Sequence, residues 1–113
     1  MDISEVISVE EGMKRVVNNK MLYRRLLGKF SGRQMVEEIN EQVSKGDYAA
    51  AATTCHALKG LAANLAMHPM AEVTASLEER LKNNEKPEED LLSDLNNKLE
   101  AVEKAVSELL SNE

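Results

Sequence analysis

Six apolar residues near the C-terminus, Leu92, Leu95, Leu99, Val102, Val106 and Leu109, recur at alternating spacings of three and four. Only an α-helix gathers such a series onto one stripe, and the stripe has to be covered by another helix. A helical bundle is the expected outcome. The seam could be covered within the monomer or by a second copy. A monomer is expected, because the other segments also need a partner face. Two prolines and five glycines are the only strong breakers in 113 residues. Ala, Leu, Glu, Lys and Met, which lose little side-chain freedom in a helix, dominate the remainder.

Capping chemistry divides the chain without a long linker. Ser8 and Glu11 form an S-x-x-E capping box, which predicts a short amphipathic helix through Val16 or Val17. The next stretch, KMLYRRLLGKF, places Leu22, Leu26, Leu27 and Phe30 on one broad face and predicts a break near Ser31. Ser31 and Gln34 repeat the capping pattern, with Phe30 and Met35 positioned as a hydrophobic staple. That helix should run to Lys45 with Met35, Ile39 and Val43 inward, and stop at Gly46. Asp47 caps a helix predicted over 48–67, and Pro69 suits the first turn of another reaching Asn83 or Asn84. Pro87 and the acids after it mark the start of the last helix.

A net charge of −6 and only three aromatics oppose binding to a phosphate backbone. No apolar run approaches the roughly 20 residues that cross a bilayer, and MDISEVISVEEG lacks a basic segment followed by an apolar one. No membrane insertion is expected, and the expected location is the cytoplasm. The lone Cys55 excludes an intramolecular disulfide, so stability has to come from packing.

The helix after Asp47 carries the chemistry. At about 100° per residue, Leu58, Leu61 and Leu65 cluster almost opposite His56 and define the expected buried side. His56 then points outward among Ala49, Ala52, Thr53, Lys59, Gly60, Ala63 and Met67, most of them small. An interior glycine costs about 1 kcal/mol relative to alanine, so Gly60 calls for a reason. Helical side chains lean toward the N-terminus, so any side chain at position 60 would overhang the imidazole. The same lean brings Lys59 back toward the ring, where its ammonium can neutralise an attached anion. At neutral pH an imidazole keeps one nitrogen free to attack phosphorus. A glycine-rich phosphate loop and an acidic metal cluster are both missing around His56, so partners must supply that machinery.

The run His56-Ala57-Leu58-Lys59-Gly60 followed by LAANLAM resembles the signature of histidine phosphotransfer (HPt) domains. VEEGMKRVVNNKMLYRRLLGKF is similar to the segment preceding their bundle, KGDY to the turn before their histidine helix, and LEERL to their next helix. The resemblance covers about residues 9–82. It implies an all-α fold: an antiparallel four-helix bundle with one or two short additional N-terminal helices. A single domain over 1–113 would then have its bundle core at about 31–112 and the short helices at about 8–30. It also implies a phosphorelay intermediate. His56 would accept a phosphoryl group from a receiver-domain aspartate, or from a sensor histidine kinase, and pass it to another response-regulator receiver. Lys59 would steady the phosphoryl group and Gly60 would give access. No cofactor of its own is implied, since a divalent metal such as Mg belongs to the receiver. Two residues depart from the pattern: Ala66 stands where the family commonly has glycine, and Leu61 where it has a small residue.

The expected docking residues are Ala49, Ala52, Ala63 and Met67, with Met13 of the first helix widening the patch. Two rival functions remain. A docking adaptor on the same bundle would never be phosphorylated, and would have no need of His56, Lys59 and Gly60 together. A metal-binding bundle would want inward Glu-x-x-His pairs. Thr53 and Leu65 stand in the glutamate positions relative to His56 and His68. His68 reads as a turn residue with a local backbone hydrogen bond, and Cys55 as a small buried hydrophobe.

Overall fold

A computed structural model describes residues 2–111, and every described segment of regular structure is helical. After a single 3₁₀ turn at Ile3–Glu5 come α1 (Val9–Arg15), α2 (Lys20–Gly28), α3 (Gly32–Ser44), α4 (Tyr48–Asn64), α5 (His68–Lys82) and α6 (Glu89–Ser111). Helices α3 to α6 form an antiparallel four-helix bundle in which α4 packs on α3 and α5, and α6 packs on the same two. Helices α4 and α6 therefore lie diagonally across it.

The boundaries follow local chemistry. Gly46 takes the left-handed conformation (φ +74°) after α3, and the Asp47 carboxylate accepts from the Ala50 N–H at 3.2 Å to start α4. Asn19 caps α2 in the same way, accepting from Leu22 N–H at 3.1 Å. Ser8 and Ser31 do precede α1 and α3, but neither side chain makes a capping bond. The reciprocal half of the predicted box at Ser8 is replaced, since the Ser8 N–H donates to the Ala66 carbonyl and the Glu11 carboxylate is turned to His68 at 2.6 Å. Helix α4 stops at Asn64, short of the predicted Met67, because Ala66 is left-handed at φ +60°. Glycine would adopt that conformation without strain.

The core is built from Val36 and Ile39 of α3, Cys55 and Leu58 of α4, Met70 and Leu77 of α5, and Leu95 and Leu99 of α6. Of the C-terminal seam, Leu95, Leu99 and Val102 are fully buried, while Leu92, Val106 and Leu109 pack on its edge. The seam is thus covered inside the chain. In α3 the inward positions are Val36 and Ile39, with Met35 and Val43 on the flanks, one residue round from the expected face.

The N-terminal helices close one end of the bundle. Ile7 is fully buried, and the Ser8 N–H donates to the Ala66 carbonyl at 2.9 Å. Helix α2 buries Tyr23 and Leu27, whereas Leu22, expected inward, is exposed. Its rotation is set by α1, where the Tyr23 ring lies so close to Gly12 that an added Cβ would sit 2.5 Å from it. On the other side the Arg24 guanidinium donates to the carbonyls of Leu109 and Leu110, satisfying the C-terminus of α6. No helix among the described residues is long and apolar enough to cross a membrane.

Candidate functional site

Helix α4 buries Ala51, Cys55, Leu58 and Ala62, leaving Leu61 half-buried. The centre of this stripe is roughly 60° round from the Leu58–Leu61–Leu65 face read from the sequence. Small residues cause the shift, because Ala51, Cys55 and Ala62 let α4 approach its neighbours closely, while a leucine can reach the core from a flank. His56 therefore tips toward α5 instead of standing directly opposite the core. Its side chain is still 71% exposed.

The tilt brings His56 against a buried carboxylate. His56 Nδ1 lies 3.0 Å from Glu78 Oε2, and Glu78 on α5 has only 3% of its side chain exposed. Lys59 Nζ sits 2.6 Å from Glu78 Oε1, and Lys82 Nζ 3.1 Å from Oε2. Burial pushes the Glu78 carboxyl upward, but hydrogen bonds from Lys59, Lys82 and His56 outweigh it and hold the group at about 2. The carboxylate is ionised at neutral pH, so the His56 nitrogen facing it must be the one that donates a proton. In the neutral ring, the lone pair then belongs to Nε2, at the outer tip.

Gly60 is exposed, and a Cβ built there would meet nothing within 4 Å. Helix packing therefore does not demand the glycine. On the other side of the ring, an open groove of about 600 Å³ is lined by Ala49, Ala52 and Thr53 of α4 and by Leu81 and Lys82 of α5. Buried Cys55 is screened from such chemistry, since desolvation, and secondarily the Glu78 charge, push its thiol up to about 12. No three His, Cys, Asp or Glu side chains among the described residues are grouped to hold a metal ion.

His56 and Lys59 thus converge, but through Glu78, with the lysine ammonium bound to the carboxylate. Of the expected docking residues, Ala49 is exposed, Ala63 half-buried and Met13 packed partly against the core from α1. Two expectations are corrected. Ala52 is only 8% exposed, because the rotation of α4 carries it toward α5, where it forms part of the groove. Met67 is fully buried, because it lies beyond the left-handed Ala66 and the helical wheel no longer places it.

Glu78 and Lys82 were missed from sequence, although a signal existed. Met70, Thr74 and Glu78 follow one another at spacings of four on the buried side of α5, between Leu77 and Leu81. An acid on an apolar stripe requires cationic partners, and Lys82 one turn later is one of them. His68 is also corrected: it opens α5 and bonds Glu11 of α1 instead of a neighbouring backbone group.

The Hpt domain family model matches residues 29–105, more than half of the chain, whereas no curated protein and no solved structure matches it. The chain belongs to the Hpt domain family. Its role is accordingly phosphotransfer in two-component signalling, as a phosphoryl carrier that works with receiver and kinase partners.

Proposed function

We propose that the protein is a phosphorelay intermediate whose phosphorylated residue is His56, and that the transfer atom is Nε2. The carrying observation is the exposed imidazole whose inner nitrogen is held by buried Glu78. In the forward step the Nε2 lone pair attacks the phosphorus of a receiver's aspartyl phosphate. An N–P bond forms, the P–O bond to the aspartyl oxygen breaks, and the aspartate leaves as a carboxylate. Positive charge developing on the imidazole is stabilised through Nδ1–H by Glu78, which acts as a positioning residue. The reverse of this step, on another receiver, discharges the carrier.

Lys59 and Lys82 are held beside the ring by Glu78, and a phosphoryl group on Nε2 offers them a second anion. Any metal needed for the transfer would be the receiver's. Gly60 leaves the approach open, and the receiver would dock over Ala49, Gly60, Ala63 and the groove. Purified protein mixed with radiolabelled phospho-receivers from the same genome tests the reading. Acid-labile, base-stable label on His56 is expected. Label on another residue would refute the assignment, and absence of label with every receiver and kinase would favour the adaptor.

A further inference from the structure

Seven of the chain's 14 lysines and arginines fall between Lys14 and Arg33, and no acid lies between Glu11 and Glu37, although the net charge is −6. Some of these cations are committed. Arg33 makes a two-pronged contact with Glu103 at 2.6 and 2.7 Å, and Arg24 caps α6. The side chains of Lys20, Arg25 and Lys29 are exposed and bond to none of the described residues. Among them stand the exposed large hydrophobics Val17, Met21 and Leu22, at 88%, 75% and 37%.

Val17 is the sharpest anomaly. It is β-branched yet left-handed, at φ +52°, and its side chain gains no packing in return. The turn thus holds an apolar tip out into water. Because α2 packs on α6, which lies diagonal to α4, the outer face of α2 is separate from the His56 face.

Shape selects the occupant. A protein partner would be met by aromatic anchors, whereas here Val17 protrudes from a turn, Met21 and Leu22 stand on the first turn of α2, and long, flexible cations flank them. That arrangement matches the boundary of an anionic bilayer, where apolar tips enter between acyl chains while ammonium and guanidinium groups pair with lipid phosphates. We propose that the α1–α2 turn and the outer face of α2 form a peripheral contact site for anionic membrane lipid. Val17 and Met21 are the inserting residues, and Lys20, Arg25 and Lys29 are the phosphate contacts. Binding is reversible, since neither the charge nor the apolar area suffices for a permanent anchor.

Flotation of the full chain with phosphatidylcholine vesicles containing about a third phosphatidylglycerol tests this. The protein should float with these vesicles at low salt, remain free with pure phosphatidylcholine, and be released by high salt. Charge reversal at Lys20, Arg25 and Lys29 together should lower partitioning by more than about a hundredfold, with the helical circular dichroism unchanged. Val17→Asn should weaken partitioning while raising the melting temperature, since asparagine tolerates the left-handed turn. A merely structural role for Val17 would not give these opposite movements. No flotation with anionic vesicles, or flotation indifferent to the charge reversal, overturns the proposal. So does a charge-reversal-sensitive association with a second copy or a receiver, seen by sedimentation without any vesicle binding, which would assign the patch to an acidic protein surface.

Discussion

The two histidines each meet a glutamate, and the shorter contact is the less consequential one. His68 Nε2 and Glu11 Oε2 are 2.6 Å apart, against 3.0 Å for His56 Nδ1 and Glu78 Oε2. Glu11 is 43% exposed and, besides His68, pairs with Arg15 at 3.7 Å, so solvent competes for both contacts. Glu78 is 3% exposed and has both oxygens fixed by lysines. The bonded nitrogen differs as well. At His68 the outer nitrogen is the one engaged by the carboxylate, whereas at His56 it is the inner nitrogen. Under the proposed function, the nucleophile is the histidine whose carboxylate partner is buried and bonded to the inner nitrogen, with open space beside the ring.

The largest effect should separate the two histidines outright. His56→Gln is expected to abolish acid-labile labelling by phospho-receiver, and His68→Gln to leave it within about twofold of wild type. Quantitative mass spectrometry of the phosphopeptides checks this, and a comparable loss in both variants would erase the distinction.

Next comes the carboxylate. Glu78→Gln keeps the shape but removes the charge that fixes the tautomer, so transfer should slow by at least about tenfold and its pH profile should shift. The fold should register the change too. The folded Glu78 is held at about 2 against an ordinary 4.5, so its contribution is fully present above the ordinary value and disappears as pH falls toward 2. The shift corresponds to something on the order of 3 kcal/mol. Urea titrations from pH 7 to acid should show this loss in wild type and not in the variant. Parallel curves would mean that the ion cluster does not couple to folding.

The contrast between the histidines was only partly legible in the sequence. His56, Lys59 and Gly60 could be placed on one outward face because helical periodicity holds inside α4. The bundle could be read from the Leu95–Leu99–Val102 seam, and the α3–α4 boundary from Gly46 and Asp47, whose signals are local. Glu78 and Glu11 stayed hidden, since each pairs with a residue 22 or 57 positions away, and only the packing of α4 on α5 and of α1 on the bundle end brings them together. The rotation of α4 was misjudged for a related reason. Leucine spacing points to one buried face, while the close approach of helices selects alanine and cysteine for another. Met67 was misplaced because one left-handed residue, Ala66, ends the periodicity on which the reading depended.

Gly60 bears on the open space beside the His56 ring. With nothing near an added Cβ, Gly60→Gln should stabilise α4 by a few tenths of a kcal/mol while slowing transfer, because the new side chain leans over the imidazole. Stopped-flow transfer measured alongside urea unfolding gives both signs. An unchanged rate would show that the space beside His56 is incidental.

The smallest effect belongs to the other pair. His68 and Glu11 are 48% and 43% exposed, so solvent competes for both, and their bond ties α1 to the start of α5 without burying either group. A double-mutant cycle with His68→Ala and Glu11→Ala should give a coupling below about 1 kcal/mol that shrinks with added salt. The clasp is also redundant, because Ile7 is buried and the Ser8 N–H already bonds the Ala66 carbonyl at the same end. Loss of the pair should thus loosen α1 locally, visible as faster amide exchange at Gly12, while phosphotransfer through His56 continues at its normal rate. A coupling of several kcal/mol, or slowed transfer in His68→Ala, would show that the exposed pair is held as firmly as the buried one. Carboxylate burial would then not be what distinguishes the two sites.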